Sequence, residues 1–186
     1  VLAEMSPENI KVKPKRIKMS KVTIKNGRLS FPSLFSKSSF NGNEGKYEAT
    51  ILFPKTDVAT YDAIVKLIEE CKTANKLGKV PADKIFIKDG DGIDYDGYEG
   101  MWAVKGSNNK RPTVIDRDKT PLTEEDGKPY AGCYVNAILE PWGQNNQYGK
   151  RVNANLLGVQ FVKDGEPFGD GGTKVTEDDF DDLEDF

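Results

Sequence analysis

Apolar and polar side chains alternate strictly along YEATILF, where Tyr47, Ala49, Ile51 and Phe53 take one face and Glu48, Thr50 and Leu52 the other. A period of two is the pattern of a half-buried strand, and Pro54, which has no ladder donor, ends it. After Asp57 the period lengthens. Val58, Tyr61, Ile64, Val65, Ile68 and Cys71 recur three and four apart, which predicts an amphipathic helix between Asp57 and Lys76, capped by Asp57 and stopped by Gly78. Strand-like runs return in MWAVKGS, PTVID, YVNAILEPW and VNANLLGVQFV, separated by polar turns, with Trp102 and Val104 sharing one face. GQNNQYGKR, bounded by Gly143 and Gly149, predicts a polar loop that joins the last two runs into a long antiparallel hairpin. Upstream, the Asn26-Gly27 pair in KVTIKNGRLSFPSL is a hairpin signal. One helix among at least five strands predicts a mainly β fold, a small barrel over residues 21–168. Residues 1–20 are expected to be a flexible basic arm or a remnant outside the fold, and residues 169–186 a disordered acidic tail.

With 186 residues and 37% apolar content, the chain suits one ordinary core. No run approaches the roughly 20 apolar residues a membrane-spanning helix needs, so a cytoplasmic protein without membrane contact is expected. Cys71 and Cys133 fall on a predicted helix and a predicted strand, where reduced core thiols are expected. Histidine is absent, which removes serine-histidine triads and most zinc sites. Carboxylate chemistry or no chemistry is left, and neither cofactor nor metal is expected.

Charge separates along the chain. Glu177, Asp178, Asp179, Asp181, Asp182, Glu184 and Asp185 put seven acids in the last ten residues, and removing them from a net charge of −3 leaves a body of about +4. Lys11, Lys13, Lys15, Arg16, Lys18, Lys21, Lys25 and Arg28 form a run without an acid. A basic body with a detached acidic end points to a polyanionic partner.

Two clusters interleave aromatic and basic side chains: Trp102, Lys105, Lys110 and Arg111, and Trp142, Tyr148, Lys150 and Arg151. Single-stranded nucleic acid calls for that mixture, since bases stack on flat rings while lysine and arginine neutralise phosphates. Tyr148 stands out because a polar loop beside Gly149 offers little to bury it in. The acidic stretch DGDGIDYDGYEG, residues 89–100, is the rival site. Counting from Asp89, a calcium loop would need glycine sixth and glutamate twelfth, but Asp94 and Gly100 stand there, so a solvated loop is expected. In the tail, Phe180, Leu183 and Phe186 recur every three residues among the acids, including Asp182 and Asp185. That spacing gives a docking segment apolar groups to bury in a basic-rimmed pocket of a partner.

VTIKNGRLSFPSLF, YEATILFPKTD, MWAVKGSNNKRPTVID, the block from YAGCYVNAIL to GVQFVKDGEPFG, and the closing DDFDDLEDF together resemble a family of bacteriophage single-stranded DNA-binding proteins, over about residues 22–186. The resemblance implies an oligonucleotide-binding (OB) fold, a five-stranded barrel that holds its ligand on a sheet face and on the loops joining strands one to two and four to five. It also implies a helix between the third and fourth strands. The tail is similar to those of bacterial single-stranded DNA-binding proteins and podophage replication proteins, in which the final phenylalanine recruits DNA polymerases or helicases.

The expected function is therefore stoichiometric: coating of single strands without regard to sequence in phage DNA replication or recombination, in the host cytoplasm, with the tail recruiting replication proteins. Self-association is left open. The alternatives are a metal-dependent nuclease or resolvase using Asp89, Asp91, Asp94 and Asp96, and an adaptor that recognises protein only.

Overall fold

The computed structural model describes residues 20–40, 42–168 and Phe180. The basic arm and, apart from Phe180, the acidic tail lie outside the described residues; Phe180 is exposed. Among the described residues, nine strands and one α-helix follow in the order β1 (Val22–Ser33), β2 (Ser39–Phe40), β3 (Asn43–Glu44), β4 (Tyr47–Pro54), α1 (Val58–Ala74), β5 (Ile87–Asp89), β6 (Met101–Asn108), β7 (Thr113–Ile115), β8 (Tyr134–Asn146) and β9 (Gly149–Lys163).

Five of the strands close into a ring. β1 pairs antiparallel with β4 and β8, β4 with β6, and β8 with β9, and a parallel pairing of β6 with β9 at Ser107 and Asn155 completes the barrel. This is the expected OB arrangement. β5 adds to β6, and β7 runs parallel to β9.

The Asn26-Gly27 pair does not turn a hairpin. Asn26 alone takes a left-handed φ, 54°, and its amide donates to Asn136 Oδ1 at 3.0 Å, which makes a bulge inside β1. A two-residue hairpin of this type needs both central residues left-handed. The bulge lets β1 bend and serve two neighbours, β8 before it and β4 after it.

α1 starts where its periodicity predicts. The Asp57 carboxylate accepts from the Thr60 amide at 3.2 Å and from its hydroxyl at 2.6 Å. Ile64, Ile68 and Cys71 bury one face of the helix, which packs on β8, β1 and β9. The helix follows the second strand of the ring, not the third. Between β6 and β8 the chain instead runs through β7 and a loop with a single 3-10 turn, Glu124–Asp126.

The barrel is filled by Ile24, Leu29, Ile51, Phe53, Leu139 and Leu156, each at most 0% exposed. A second, smaller cluster lies outside it, where Leu52, Tyr98 and Ala103 meet Ile93, Met101 and Phe168. Leu52 thus buries the opposite face of β4. The stretch 89–100 is accordingly more than a solvated loop: Tyr98 is 3% exposed and anchors it to the sheet. Cys71 and Cys133 are buried free thiols, and burial pushes Cys133 up to about 11. No helix among the described residues is long and apolar enough to cross a membrane.

The predicted loop GQNNQYGKR is largely strand. Pairing continues from Gly143–Val152 to Asn146–Gly149, which leaves Gln147 and Tyr148 as a two-residue turn at the tip of a β8-β9 ribbon.

Candidate functional site

Directly paired residues on neighbouring strands point to the same face of a sheet. On β4 and β6 the pairs Thr50–Lys105 and Glu48–Ser107 point outward, away from the core. On β9, Arg151 and Asn153 line the same outer face. β6 and β9 pair directly at Ser107 and Asn155, and beside that pair Ile85–Phe86 is wedged between them. The Lys105 amide donates to the Phe86 carbonyl at 3.1 Å, and the Phe86 amide to the Val152 carbonyl at 3.0 Å. This splice brings the flanking Lys84 and Lys88 to the outer face. The result is an open groove of about 580 Å³, walled at one end by Phe31, Tyr95 and Tyr98.

Four bases line the groove, Lys84, Lys88, Lys105 and Arg151, against two acids, Glu48 and Asp83. Lys105 reaches Glu48 at 3.5 Å and Lys84 reaches its neighbour Asp83 at 3.9 Å. Among the described residues, Lys88 and Arg151 have no carboxylate within salt-bridge distance, so the groove presents net positive charge.

The predicted residues divide between this surface and other places. Lys105 and Arg151 lie in the groove. Trp142 pairs with Asn153 and so stands on the groove's side of the ribbon, half-buried, with Lys46 Nζ 6.0 Å from its ring centre. Tyr148 is 76% exposed at the ribbon tip, next but one to the exposed Lys150. Lys110 and Arg111 follow the far end of β6, where the Arg111 guanidinium sits 5.3 Å over the Phe35 ring. Trp102 is on the other face. It pairs with the fully buried Phe53 and stacks on Tyr61 of α1 with ring centres 4.6 Å apart.

The aromatic wall and Lys84 and Lys88 are additions that the sequence did not single out. Phe31 and Tyr95 rings meet edge to face at 5.0 Å, and Tyr95 lies 5.5 Å from Tyr98. The Tyr98 hydroxyl shares a 2.7 Å hydrogen bond with Ser30 Oγ, and burial holds its phenol above the ordinary value.

The acids of the neighbouring loop are tied up within it. Lys55 Nζ bridges Asp89 at 2.6 Å and Asp91 at 2.5 Å, and the Gly100 amide donates to Asp91 at 2.8 Å. The Lys55 bond holds Asp89 below the usual carboxylate range; for Asp91 the Gly100 amide is the main cause and Lys55 the second. Among the described residues no group of three or more carboxylates or thiols is placed to hold a metal.

This arrangement can hold a flexible polyanion with flat groups along its length. The family described as Enterobacter phage Enc34, ssDNA-binding protein, matches residues 20–186. The single-stranded DNA-binding protein from bacteriophage Enc34, in a structure in complex with ssDNA, is similar at 39% identity and a TM-score of 0.75, over 82% of this chain and 91% of that one. Protein p50 of Acyrthosiphon pisum secondary endosymbiont phage 1 is 41% identical over 181 residues, 88% of this chain and 94% of that protein. The gp2.5 single-stranded DNA-binding protein of bacteriophage T7, at 17% identity and a TM-score of 0.52 over 84% of this chain and 98% of that one, shares the fold. With its barrel, its basic outer groove and a family match that runs from residue 20 to residue 186, the chain belongs to the Enc34-type family of phage single-stranded DNA-binding proteins.

Proposed function

We propose that this protein binds single-stranded DNA without sequence preference, along the outer groove of its barrel. The observation that carries the reading is the groove itself, with four bases beside exposed rings on the sheet face that OB folds use for oligonucleotides. It is supported by the 39% identity to a phage protein solved in complex with ssDNA. No bond is made or broken: the groove holds phosphates by charge and bases by stacking. In this reading the protein coats strands exposed in phage replication or recombination. The acidic segment 177–186 competes with DNA for the basic groove and offers Phe180, Leu183 and Phe186 to a polymerase or helicase.

A tryptophan-fluorescence titration tests this, with oligo-thymidine against duplex of equal length, for the full chain and for a chain lacking residues 177–186. Saturable quenching by the single strand, with a log-affinity against log-salt slope near −3 for about four neutralised phosphates, is expected. Deleting the segment is expected to tighten binding at low salt. A full chain indifferent to both nucleic acids would favour the protein-only adaptor.

A further inference from the structure

Phe31 carries two costs at once. Its φ of 47° lies in the left-handed region, which bulky L-residues rarely enter and glycine enters freely, and the residue is 51% exposed. Glycine would relieve the strain and remove the exposed apolar surface, at the loss of the contact with Tyr95. A residue kept in a conformation that costs on the order of 1–3 kcal/mol, with an apolar ring in water, points to use of the ring. The bulge of β1 between Ser30 and Ser33 aims it into the groove, where it touches Tyr95, itself 50% exposed.

The partner ring is braced from below and behind. Tyr98 packs under Tyr95 and is pinned to Ser30 by its hydroxyl. Gly97 takes a φ of 84° and lies so close to the Phe168 ring that a Cβ there would collide with it. Phe168 is in turn covered by the Arg28 guanidinium, 3.8 Å from the ring centre. Lys55 staples both ends of the loop, its ammonium to Asp89 and Asp91 at the start and its amide to the Gly100 carbonyl, at 2.9 Å, at the end. Exposed rings held this firmly are preorganised for contact.

The surroundings select what they contact. Tyr95 is flanked by the exposed carboxylates Asp94 and Asp96, which repel a phosphate. A neutral, flat, weakly solvated group is compatible with them. We infer that the Phe31–Tyr95 pair is a nucleobase-stacking subsite, at which a base lies against the rings while the sugar-phosphate chain passes over Lys88, Lys105 and Arg151. This rests on the single-stranded DNA reading above and assigns its base contact.

The test compares oligo-thymidine with an abasic oligodeoxynucleotide of equal length, for the wild type and for Phe31→Gly, Tyr95→Ala and Tyr95→Phe in the full chain. Phe31→Gly and Tyr95→Ala should each weaken oligo-thymidine binding about 5- to 150-fold. Both should leave abasic binding within about twofold, and Tyr95→Phe should bind as the wild type does. Circular dichroism and urea unfolding should show both variants folded under the assay conditions, so that a loss confined to oligo-thymidine reports a lost base contact. Variants that keep wild-type affinity, or that lose abasic and thymidine binding equally, would overturn the subsite and leave the groove reading standing. A wild type that ignores oligo-thymidine would overturn both.

Discussion

Two aromatic clusters sit back to back across the sheet. On the helix side Trp102 stacks on Tyr61, with Lys55 Nζ 5.0 Å from the indole centre. On the groove side Phe31, Tyr95 and Tyr98 make a chain of contacts near Lys88 and Lys105. Both pair rings with lysines, so composition does not separate them. Two physical differences do. Trp102 shares its face with the fully buried Phe53, and the lysine above it already has two carboxylate partners. Phe31 is half-exposed and backbone-strained. A ring that saves free energy by its position is structural, whereas one that costs free energy needs a ligand to explain it.

The largest effect that could break this comparison is on stability. Trp102→Ala should cost about 2–4 kcal/mol in urea unfolding, by leaving Tyr61 and Phe53 underpacked, while the folded fraction keeps its affinity for oligo-thymidine. A weakened affinity with unchanged stability would place Trp102 in the interface after all. Next in size is the salt response. Lys105→Ala and Arg151→Ala should each reduce the log-affinity against log-salt slope by about 0.7, and Lys55→Ala should leave that slope unchanged, because Lys55 sits with its two aspartates and outside the groove. Smallest is the pH effect. Asp89 and Asp91 are held below their ordinary values in the fold, so their contribution is complete above the unfolded carboxylate range. It is lost as pH falls below about 4 toward the depressed folded values. Loop 89–100 should therefore loosen in acid before the barrel does, seen as a drop in the exchange protection factor of the Gly100 amide while barrel amides keep theirs.

Much of the fold is legible in the chain because two periods differ so clearly. Tyr47–Phe53 and Asp57–Cys71 place a strand and a helix almost to the residue. The reading fails where tertiary pairing overrides local chemistry. Asn26-Gly27 satisfies a turn rule but bulges, because β8 and β4 compete for the two halves of one strand. The polar run after Trp142 reads as loop but pairs, since an edge ribbon with water on both faces needs no apolar alternation. At the site, Lys105 and Arg151 are found by their aromatic neighbours in sequence. Lys84 and Lys88 are not, because they enter the groove through a splice between strands that no local pattern announces. Tyr95 was within reach. The reasoning that singles out Tyr148, an aromatic stranded in a polar loop, applies equally to a tyrosine between two aspartates. Phe31 was not, since its signal is a backbone angle.

The splice has one more consequence. β6 and β9 meet in a single register pair, and beside it the two strands are joined only through Ile85–Phe86. The groove runs over that join, with Lys105 and Ser107 on one bank and Arg151 and Asn153 on the other. In the proposed binding mode a strand of DNA grips both banks and spans the seam as a strut, which links occupancy of the groove thermodynamically to integrity of the barrel. The ligand then acts on the fold as a hoop acts on staves, tightening the one joint that the chain itself closes most lightly.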